Sequence, residues 1–111
     1  MKLTTWNIRG LGSKRKQRNL SNRIKEENPY MMFIQETKCS IDKIREIHNK
    51  WLIKYEHLEV KANNTAGRIL TLWNPQKIRI LDVEASKNYL SMVVQPLGNK
   101  EIYMITNVYG P

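Results

Sequence analysis

The chain contains a short apolar segment, residues 31–34 (MMFI), that is followed at once by the polar segment 35–38 (QETK). An apolar run of this length bounded by polar residues is typical of a buried β-strand. Such a strand delivers one carboxylate, Glu36, to the edge of a sheet, where it is a candidate metal ligand. Residues 4–11 (TTWNIRGL) repeat the arrangement, with a strand that ends on Asn7 before a glycine turn. We therefore expect two neighbouring strand ends to share one edge.

The segment between these strands predicts a helix over about 14–27, which ends before Pro29 because proline disfavours a helical conformation in the residue before it. The opening of the chain is thus predicted to be β-loop-α-β. Ser40 is placed to cap a second helix. The apolar residues of that helix repeat every three to four positions and form one face that packs on a sheet: Ile41, Ile44, Ile47, Trp51 and Leu52.

The second half of the chain is predicted to be all β, because apolar stretches there are separated by turn-forming residues. The expected strands, after one at 2–7 and one at Tyr30–Ile34, are Tyr55–Val60, Arg68–Trp73, Ile78–Glu84, Tyr89–Gln95 and Glu101–Tyr109.

The positive charge is concentrated near the amino terminus. The 111 residues carry a net charge of +9, and eight of the 19 basic residues precede the first acidic residue, Glu26. A basic cluster of this kind favours a polyanionic partner, and DNA is the expected one, because lysine and arginine release counterions from nucleic acid phosphates. The alternative is a solvated basic helix without a partner. The candidate nucleic-acid contacts are Arg9, Lys14, Arg15, Lys16, Arg18 and Lys38.

Composition places the chain among ordinary globular domains, with 41% hydrophobic and 26% charged residues. It has no apolar run near the ~20 residues that a membrane-spanning helix needs, and no secretory signal pattern at its start. The single cysteine, Cys39, excludes an internal disulfide. We therefore expect no membrane partner, no secretion, and a nuclear or cytoplasmic location.

Four segments in this order resemble the exonuclease-endonuclease-phosphatase (DNase-like) family, which includes apurinic endonucleases and the endonuclease domains of LINE-type retrotransposons. The segments are 5–12 (TWNIRGLG), 33–38 (FIQETK), 67–74 (GRILTLWN) and 106–111 (TNVYGP). Many apurinic endonucleases have an aspartate at the position of Arg9, so the first segment is more similar to the plant LINE-type branch.

The resemblance implies an α/β fold (α+β), a four-layer sandwich of two β-sheets with helices outside, and hydrolysis of phosphodiester bonds with Mg²⁺ or Mn²⁺. It assigns the metal ligand to Glu36, which fits, since magnesium prefers carboxylate oxygen. It assigns to Asn7 the support of the metal or the orientation of the phosphate, and to Tyr109 a hydroxyl contact with the phosphate.

Structural alternatives exist for each of these residues. Glu36 alone is more often just the first exposed residue of a loop, and the order of the four segments is what favours a metal ligand. Asn7 is also typical of a turn cap, and Tyr109 of an edge-strand aromatic. The tryptophans Trp6, Trp51 and Trp73 are expected in the core. The histidines His48 and His57 have no partner at ligand spacing and are expected at the surface, and nothing next to Cys39 marks it as a reactive thiol.

Length is where the chain departs from the family, whose domain is about twice as long. We expect residues 1–111 to be its amino-terminal half, truncated at the carboxyl end, with two outer helices and half of the β-sandwich. The later aspartate-asparagine and aspartate-histidine motifs have no counterpart here, so the isolated chain is predicted to be inactive. An uncovered apolar sheet face is expected to favour self-association. The alternatives are a nucleic-acid-binding module without catalysis and a non-functional remnant.

Overall fold

Two parallel strands open the fold in the computed structural model, which describes residues 1–61 and 68–108. Strand β1 (Leu3–Asn7) pairs with β2 (Met31–Gln35), and helix α1 (Lys14–Glu27) connects them. The side chain of Ser13 caps the helix by accepting a hydrogen bond from the backbone N–H of Lys16 at 3.2 Å. The helix ends at Asn28, in the left-handed conformation, directly before Pro29. The predicted β-loop-α-β opening is confirmed.

Helix α2 (Ile41–Trp51) follows β2 and lies beside α1 on the same face of the sheet. Ser40 caps it through the backbone N–H of Lys43, and the buried Ile44 and Ile47 form its inner face, as the spacing predicts. The indole N–H of Trp51 donates to Gln17 of α1 at 3.1 Å, which fixes the two helices against each other.

The remaining strands fall within about two residues of their predicted limits. Among the described residues, one sheet has the order β1-β2-β4-β3 and the other the order β5-β6-β7. The strands are β3 (Glu56–Lys61), β4 (Arg68–Trp73), β5 (Ile78–Ala85), β6 (Tyr89–Pro96) and β7 (Tyr103–Val108).

The described residues pack in three layers: helices, first sheet, second sheet. Because strand side chains alternate between faces, β2 supplies both cores, with Met32 facing the helices and Met31 facing the second sheet. The two sheets enclose a core of Met31, Ile69, Ile78, Leu90, Met92 and Val94. The fold is therefore the predicted partial α/β sandwich with two outer helices. No helix among the described residues is long and apolar enough to cross a membrane.

The uncovered apolar surface differs from the expected one. Because only half of the β-sandwich is predicted, an apolar sheet face is expected to be uncovered. In the structure, β5, β6 and β7 form a second sheet that covers most of the first. The exposed apolar side chains include Met104 and Val108 on the outside of β7, at 74% and 57%, and Leu3 on β1, at 42%.

Candidate active site

Strands β1 and β2 end side by side, at an edge of the first sheet that we call the rim. Asn7 and Gln35 are register partners in this parallel pair, so their side chains lie on the same face. Glu36 follows Gln35 directly. The antiparallel strand β4 begins at the same edge with Arg68, whose backbone carbonyl accepts a hydrogen bond from Thr37 N–H. Asn7, Glu36 and Arg68 therefore lie at the rim, at or just beyond the ends of three strands.

Two loops continue the pairing of β1 and β2 beyond the sheet. The first loop covers residues 8–13 and the second residues 36–40. Backbone N–H groups of Gly10 and Leu11 donate to the carbonyls of Glu36 and Thr37, each at 2.8 Å. These bonds hold the second loop against the first, although neither loop is regular secondary structure.

Three side chains at the rim extend from strained backbone. Arg9, Glu36 and Lys38 have φ angles of 52°, 56° and 52°, in the left-handed region. Residues with a Cβ rarely adopt it, and such strained conformations cost about 1–3 kcal/mol each. Strain of this kind persists where the surrounding structure enforces it and concentrates at functional sites. The loop–loop hydrogen bonds therefore hold the backbone from which the Glu36 side chain extends.

A buried amide network links the two sheets beneath the rim. Asn107 of β7 is 1% exposed. Its Nδ2 donates to Thr71 Oγ1 at 3.1 Å and to the carbonyl of Leu70 at 3.3 Å, while its Oδ1 accepts from Gln35 Nε2 at 2.7 Å. The same Gln35 nitrogen lies 3.3 Å from Thr5 Oγ1. The residue before Glu36 is thereby fixed to the second sheet.

Sequence reasoning missed Gln35 and Asn107 as parts of this site. Both lie inside segments that carry the family resemblance, 33–38 and 106–111, so the signal is present in the motifs. Their pairing is not readable from the sequence, because they are 72 positions apart. Tyr109, the third predicted catalytic residue, lies outside the described residues.

The ligands available for a divalent metal are sparse. Glu36 is partly buried, and its carboxylate forms no salt bridge with any described residue. The described residues contain no group of three His, Cys, Asp or Glu side chains arranged to hold a metal. Magnesium, however, keeps several waters and needs one or two carboxylates plus substrate phosphate oxygens. A carboxylate at the edge of the sheet that also carries Asn7 therefore meets this requirement of magnesium, whereas zinc takes three or four protein ligands.

The predicted nucleic-acid contacts are distributed around the rim. Arg9 and Lys38 are exposed on the two loops, and Lys14, Arg15 and Arg18 are exposed on the first turns of α1, which begins just after the first loop. Lys16 differs, because its ammonium donates to the carbonyl of Ile8 and is half-buried. Lys16 thus supports the first loop, and the other predicted cations are open to solvent.

Beyond Arg18, the next basic residue of α1 is paired and lies away from the rim. The Arg23 guanidinium pairs with Glu27 at 3.0 Å and lies over the Trp6 ring at 5.0 Å from its centroid, toward the far end of α1. Arg68, to which the sequence assigns no role, lies at the rim and donates through Nε to the carbonyl of Cys39 at 3.0 Å. Exposed cations that form no described ion pair therefore lie at the rim and at the start of α1.

The tryptophans pack against the two cores, and Cys39 is buried. Trp6 and Trp51 pack on the helix-side core and Trp73 on the inter-sheet core, as predicted. Cys39 is 7% exposed, and burial raises the pKa of its thiol, which agrees with an unreactive residue.

The two histidines, which the sequence analysis expects at the surface, are half-buried. The rings of His48 and His57 lie 4.4 Å apart, and the His57 side chain is 17% exposed and 2.9 Å from the Glu59 carboxylate. The sequence could not show this contact because it forms only when α2 packs on β3. Neither ring lies at the rim.

Comparison with known proteins gives a family and a fold. The sequence profile of the endonuclease/exonuclease/phosphatase family matches residues 4–100. No curated protein matches the chain.

Several solved structures superimpose on the chain. The catalytic domain of human nocturnin with bound sulfate gives a TM-score of 0.76 at 8% identity, over 96% of this chain and 48% of that one. D. rerio TDP2 with a single-strand DNA product gives 0.72 at 16% identity, over 100% and 47%. AP endonuclease LMAP from Leishmania major gives 0.70 at 18% identity, over 97% and 39%. These identities establish the fold alone, and the chain spans half or less of each of these structures.

Proposed function

Because the chain belongs to the endonuclease/exonuclease/phosphatase family, we propose that it is part of a divalent-metal-dependent endonuclease that hydrolyses phosphodiester bonds in DNA. The observation that carries this proposal is the strained Glu36, which follows β2 beside Asn7 and is fixed through Gln35 to the buried Asn107. We further propose that the chain corresponds to the amino-terminal half of such a domain. Its origin in a LINE-type retroelement is proposed from the segment 5–12 (TWNIRGLG).

In this proposal Glu36 is the protein ligand of Mg²⁺ or Mn²⁺, with Asn7 on the same edge of the sheet. When bound, the metal supplies charge neutralisation at the phosphate. Asn7 contributes an amide that both donates and accepts, so it can orient a phosphate oxygen or a water without adding charge. Tyr109 is proposed to donate its hydroxyl to the phosphate.

The cations of the rim attract the DNA backbone. Arg9 and Lys38 extend from the loops that frame Glu36, and both are exposed. Their positive potential lowers the repulsion between the carboxylate and a phosphate diester, and it makes binding salt-dependent. Contacts of this kind carry little base specificity, so the proposed substrate is the DNA backbone without a defined sequence.

The isolated chain is expected to bind and not to cleave. No residue of the chain matches the family's later motifs, which position and activate the attacking water. General acid–base groups contribute about 10²–10⁴-fold in rate, so their loss leaves little hydrolysis.

A nucleic-acid-binding module without catalysis is the second candidate. It is favoured by the excess of exposed cations at the rim and the start of α1 over the single rim carboxylate, Glu36. The two candidates differ in the role of Glu36. A metal ligand makes DNA binding respond to Mg²⁺, whereas a simple basic surface does not need the carboxylate. A non-functional remnant would show neither DNA binding nor a metal response.

The test measures DNA affinity by fluorescence anisotropy with and without Mg²⁺, for the wild type, Glu36→Gln and the control Glu56→Gln. Glu56 is exposed at the opposite end of the first sheet, paired with Trp73, so its substitution removes the same charge far from the rim. We expect Mg²⁺ to tighten binding of the wild type and of E56Q, and to have no such effect on E36Q.

Outcomes of this experiment separate the two candidates. An E36Q protein that keeps the full response to Mg²⁺ overturns the role of Glu36 as metal ligand and leaves the binding module. Nicking of supercoiled DNA by the folded wild type, lost in E36Q, would confirm the endonuclease and refute the predicted inactivity of the isolated chain.

The proposal also covers the location of the protein and its self-association. A nuclear or cytoplasmic location is supported by the lone buried thiol of Cys39, which suits a reducing compartment. Self-association through an exposed sheet face is supported by the apolar side chains on the outside of β7.

A further inference from the structure

Arg68 lies beside the candidate metal ligand at the rim. In the antiparallel pair of β2 and β4, Ile34 is opposite Leu70, and two residues further toward the rim on each side are Glu36 and Arg68. The backbone N–H of Thr37 donates to the Arg68 carbonyl at 3.3 Å, which holds the second loop against the start of β4. Neighbouring strands lie about 4.8 Å apart, so β4 begins about one strand spacing from the end of β2.

The Arg68 side chain is anchored to the second loop. It is half-buried, and its Nε donates to the carbonyl of Cys39 at 3.0 Å. A guanidinium carries five N–H donors, so this hydrogen bond uses one of the five. Because Cys39 belongs to the same loop as Glu36, the guanidinium is held against the loop that carries the candidate metal ligand.

The charge of Arg68 is not balanced by a carboxylate side chain. No ion pair among the described residues includes Arg68, and Glu36, its neighbour across the strands, is not in an ion pair either. All ten Asp and Glu residues of the chain lie in the ranges that the structure describes. A partly buried charge is costly without a counter-ion, and a hydrogen bond to one neutral carbonyl does not supply one. The position of Arg68 therefore favours binding of an anion at the rim.

We propose that Arg68 is a phosphate-contacting residue of the rim, whose guanidinium donates to a phosphate of the DNA backbone. Arginine suits this contact because its planar group can donate two parallel hydrogen bonds to phosphate oxygens. Arg9 extends from the first loop, and Arg68 lies on the other side of the second loop, so cations flank the segment of Glu36 on both sides. The inference rests on the proposed binding of DNA and adds a contact to which the sequence assigns no role.

A purely structural Arg68 would hold the second loop without contacting DNA. The two roles depend on different properties of the side chain. A phosphate contact needs the positive charge, whereas the hydrogen bond to Cys39 needs the donor at Nε. Arg68→Lys keeps the charge and removes the guanidinium, and Arg68→Ala removes both. The rate at which the buried Cys39 thiol reacts with a disulfide reagent reports on the position of the loop in each variant.

The test measures the affinity for duplex DNA over a range of salt concentrations, without Mg²⁺, by fluorescence anisotropy. Each phosphate contact contributes about 0.9 to the slope of log affinity against log salt, so R68A should lower the slope by about 0.9. R68K should keep the slope of the wild type. Arg79→Ala is the matched control, because Arg79 is exposed near the start of β5, at the end of the sandwich away from the rim. It removes the same charge and should leave the slope unchanged.

Cooperative melting of each variant shows that the fold is retained. An R68A protein that keeps the wild-type slope would overturn the phosphate contact, and so would an equal loss of slope in R79A. If R68A and R68K lose slope alike and both label Cys39 faster than the wild type, displacement of the loop explains the loss and the contact is refuted. A wild type that does not bind DNA overturns the proposed function itself. A missing Mg²⁺ response together with the expected slopes affects the role of Glu36 and leaves the Arg68 contact supported.

Discussion

Gln35 and Asn107 are joined by a side-chain hydrogen bond of 2.7 Å that connects the strand before Glu36 to the last strand of the second sheet. Asn107 is 1% exposed and uses both ends of its amide. The bond therefore ties the position of the candidate metal ligand to the packing of the two sheets. A change in how the sheets pack would move the rim.

The first prediction concerns Asn107. Replacing it by alanine removes one partner of Gln35 and takes the donor away from the buried Thr71 Oγ1. A buried polar group left unsatisfied costs about 1–3 kcal/mol, so N107A should lower the free energy of unfolding by that amount. Chemical denaturation measures it. The matched control is Asn19→Ala at an exposed position of α1; equal effects in both variants would contradict the role of the network.

The second prediction concerns the left-handed backbone at Lys38, where φ is 52°. Glycine relieves about 1–2 kcal/mol of strain there and loses about 0.5–1 kcal/mol through chain entropy, so K38G should stabilise the fold by about 0.5 kcal/mol. Arg18→Gly, in the second turn of α1, should destabilise it by about 1 kcal/mol. Opposite signs in thermal melts support the strained loop. If K38G also destabilises, the left-handed conformation is not costly at this position.

The elements of the fold are readable from the sequence because they depend on local periodicity. The apolar face of α2, with Ile44 and Ile47, and the apolar run before Glu36 specify their structure without knowledge of distant residues. The side-by-side position of Asn7 and Gln35 follows from the parallel β-α-β unit. The connectivity of that unit is sufficient to bring the two strand ends together.

Other features of the site are not readable, for physical reasons. The engagement of Lys16 with the Ile8 carbonyl depends on where the first loop returns over α1, and the left-handed conformation of Glu36 is imposed by the neighbouring loop. Neither follows from residue preference, since glutamate disfavours that conformation. The second sheet covers β2 and leaves β1 uncovered. This arrangement depends on how the two sheets align, which residue preference does not determine.

The third prediction concerns the thiol of Cys39. Burial raises its pKa above the ordinary value, so the folded state favours the neutral thiol. Below the unfolded-state pKa this preference has its full stabilising effect, and the effect is lost as pH rises through the folded-state pKa. Stability should therefore fall at alkaline pH, and less so in Cys39→Ala. The pH dependence of the unfolding midpoint measures this.

The same thiol reports on the second loop. Because Cys39 is 7% exposed, it should react slowly with a disulfide reagent in the native protein and rapidly in denaturant. Fast native labelling would show that residues 36–40 open readily, which would contradict a rigid placement of Glu36.

The last prediction concerns which cations contact DNA. Neutralising Arg9 and Lys38 together should lower the slope of log affinity against log salt by about 1.8, because each phosphate contact on duplex DNA contributes about 0.9. Arg23→Gln with Lys25→Gln removes the same charge from the distal part of α1, where Arg23 is already paired with Glu27. That pair should change the slope much less. Equal effects of the two double variants would mean that DNA responds to the net charge of the chain and not to the rim, and the loops around Glu36 would then lose their proposed role in holding the phosphate.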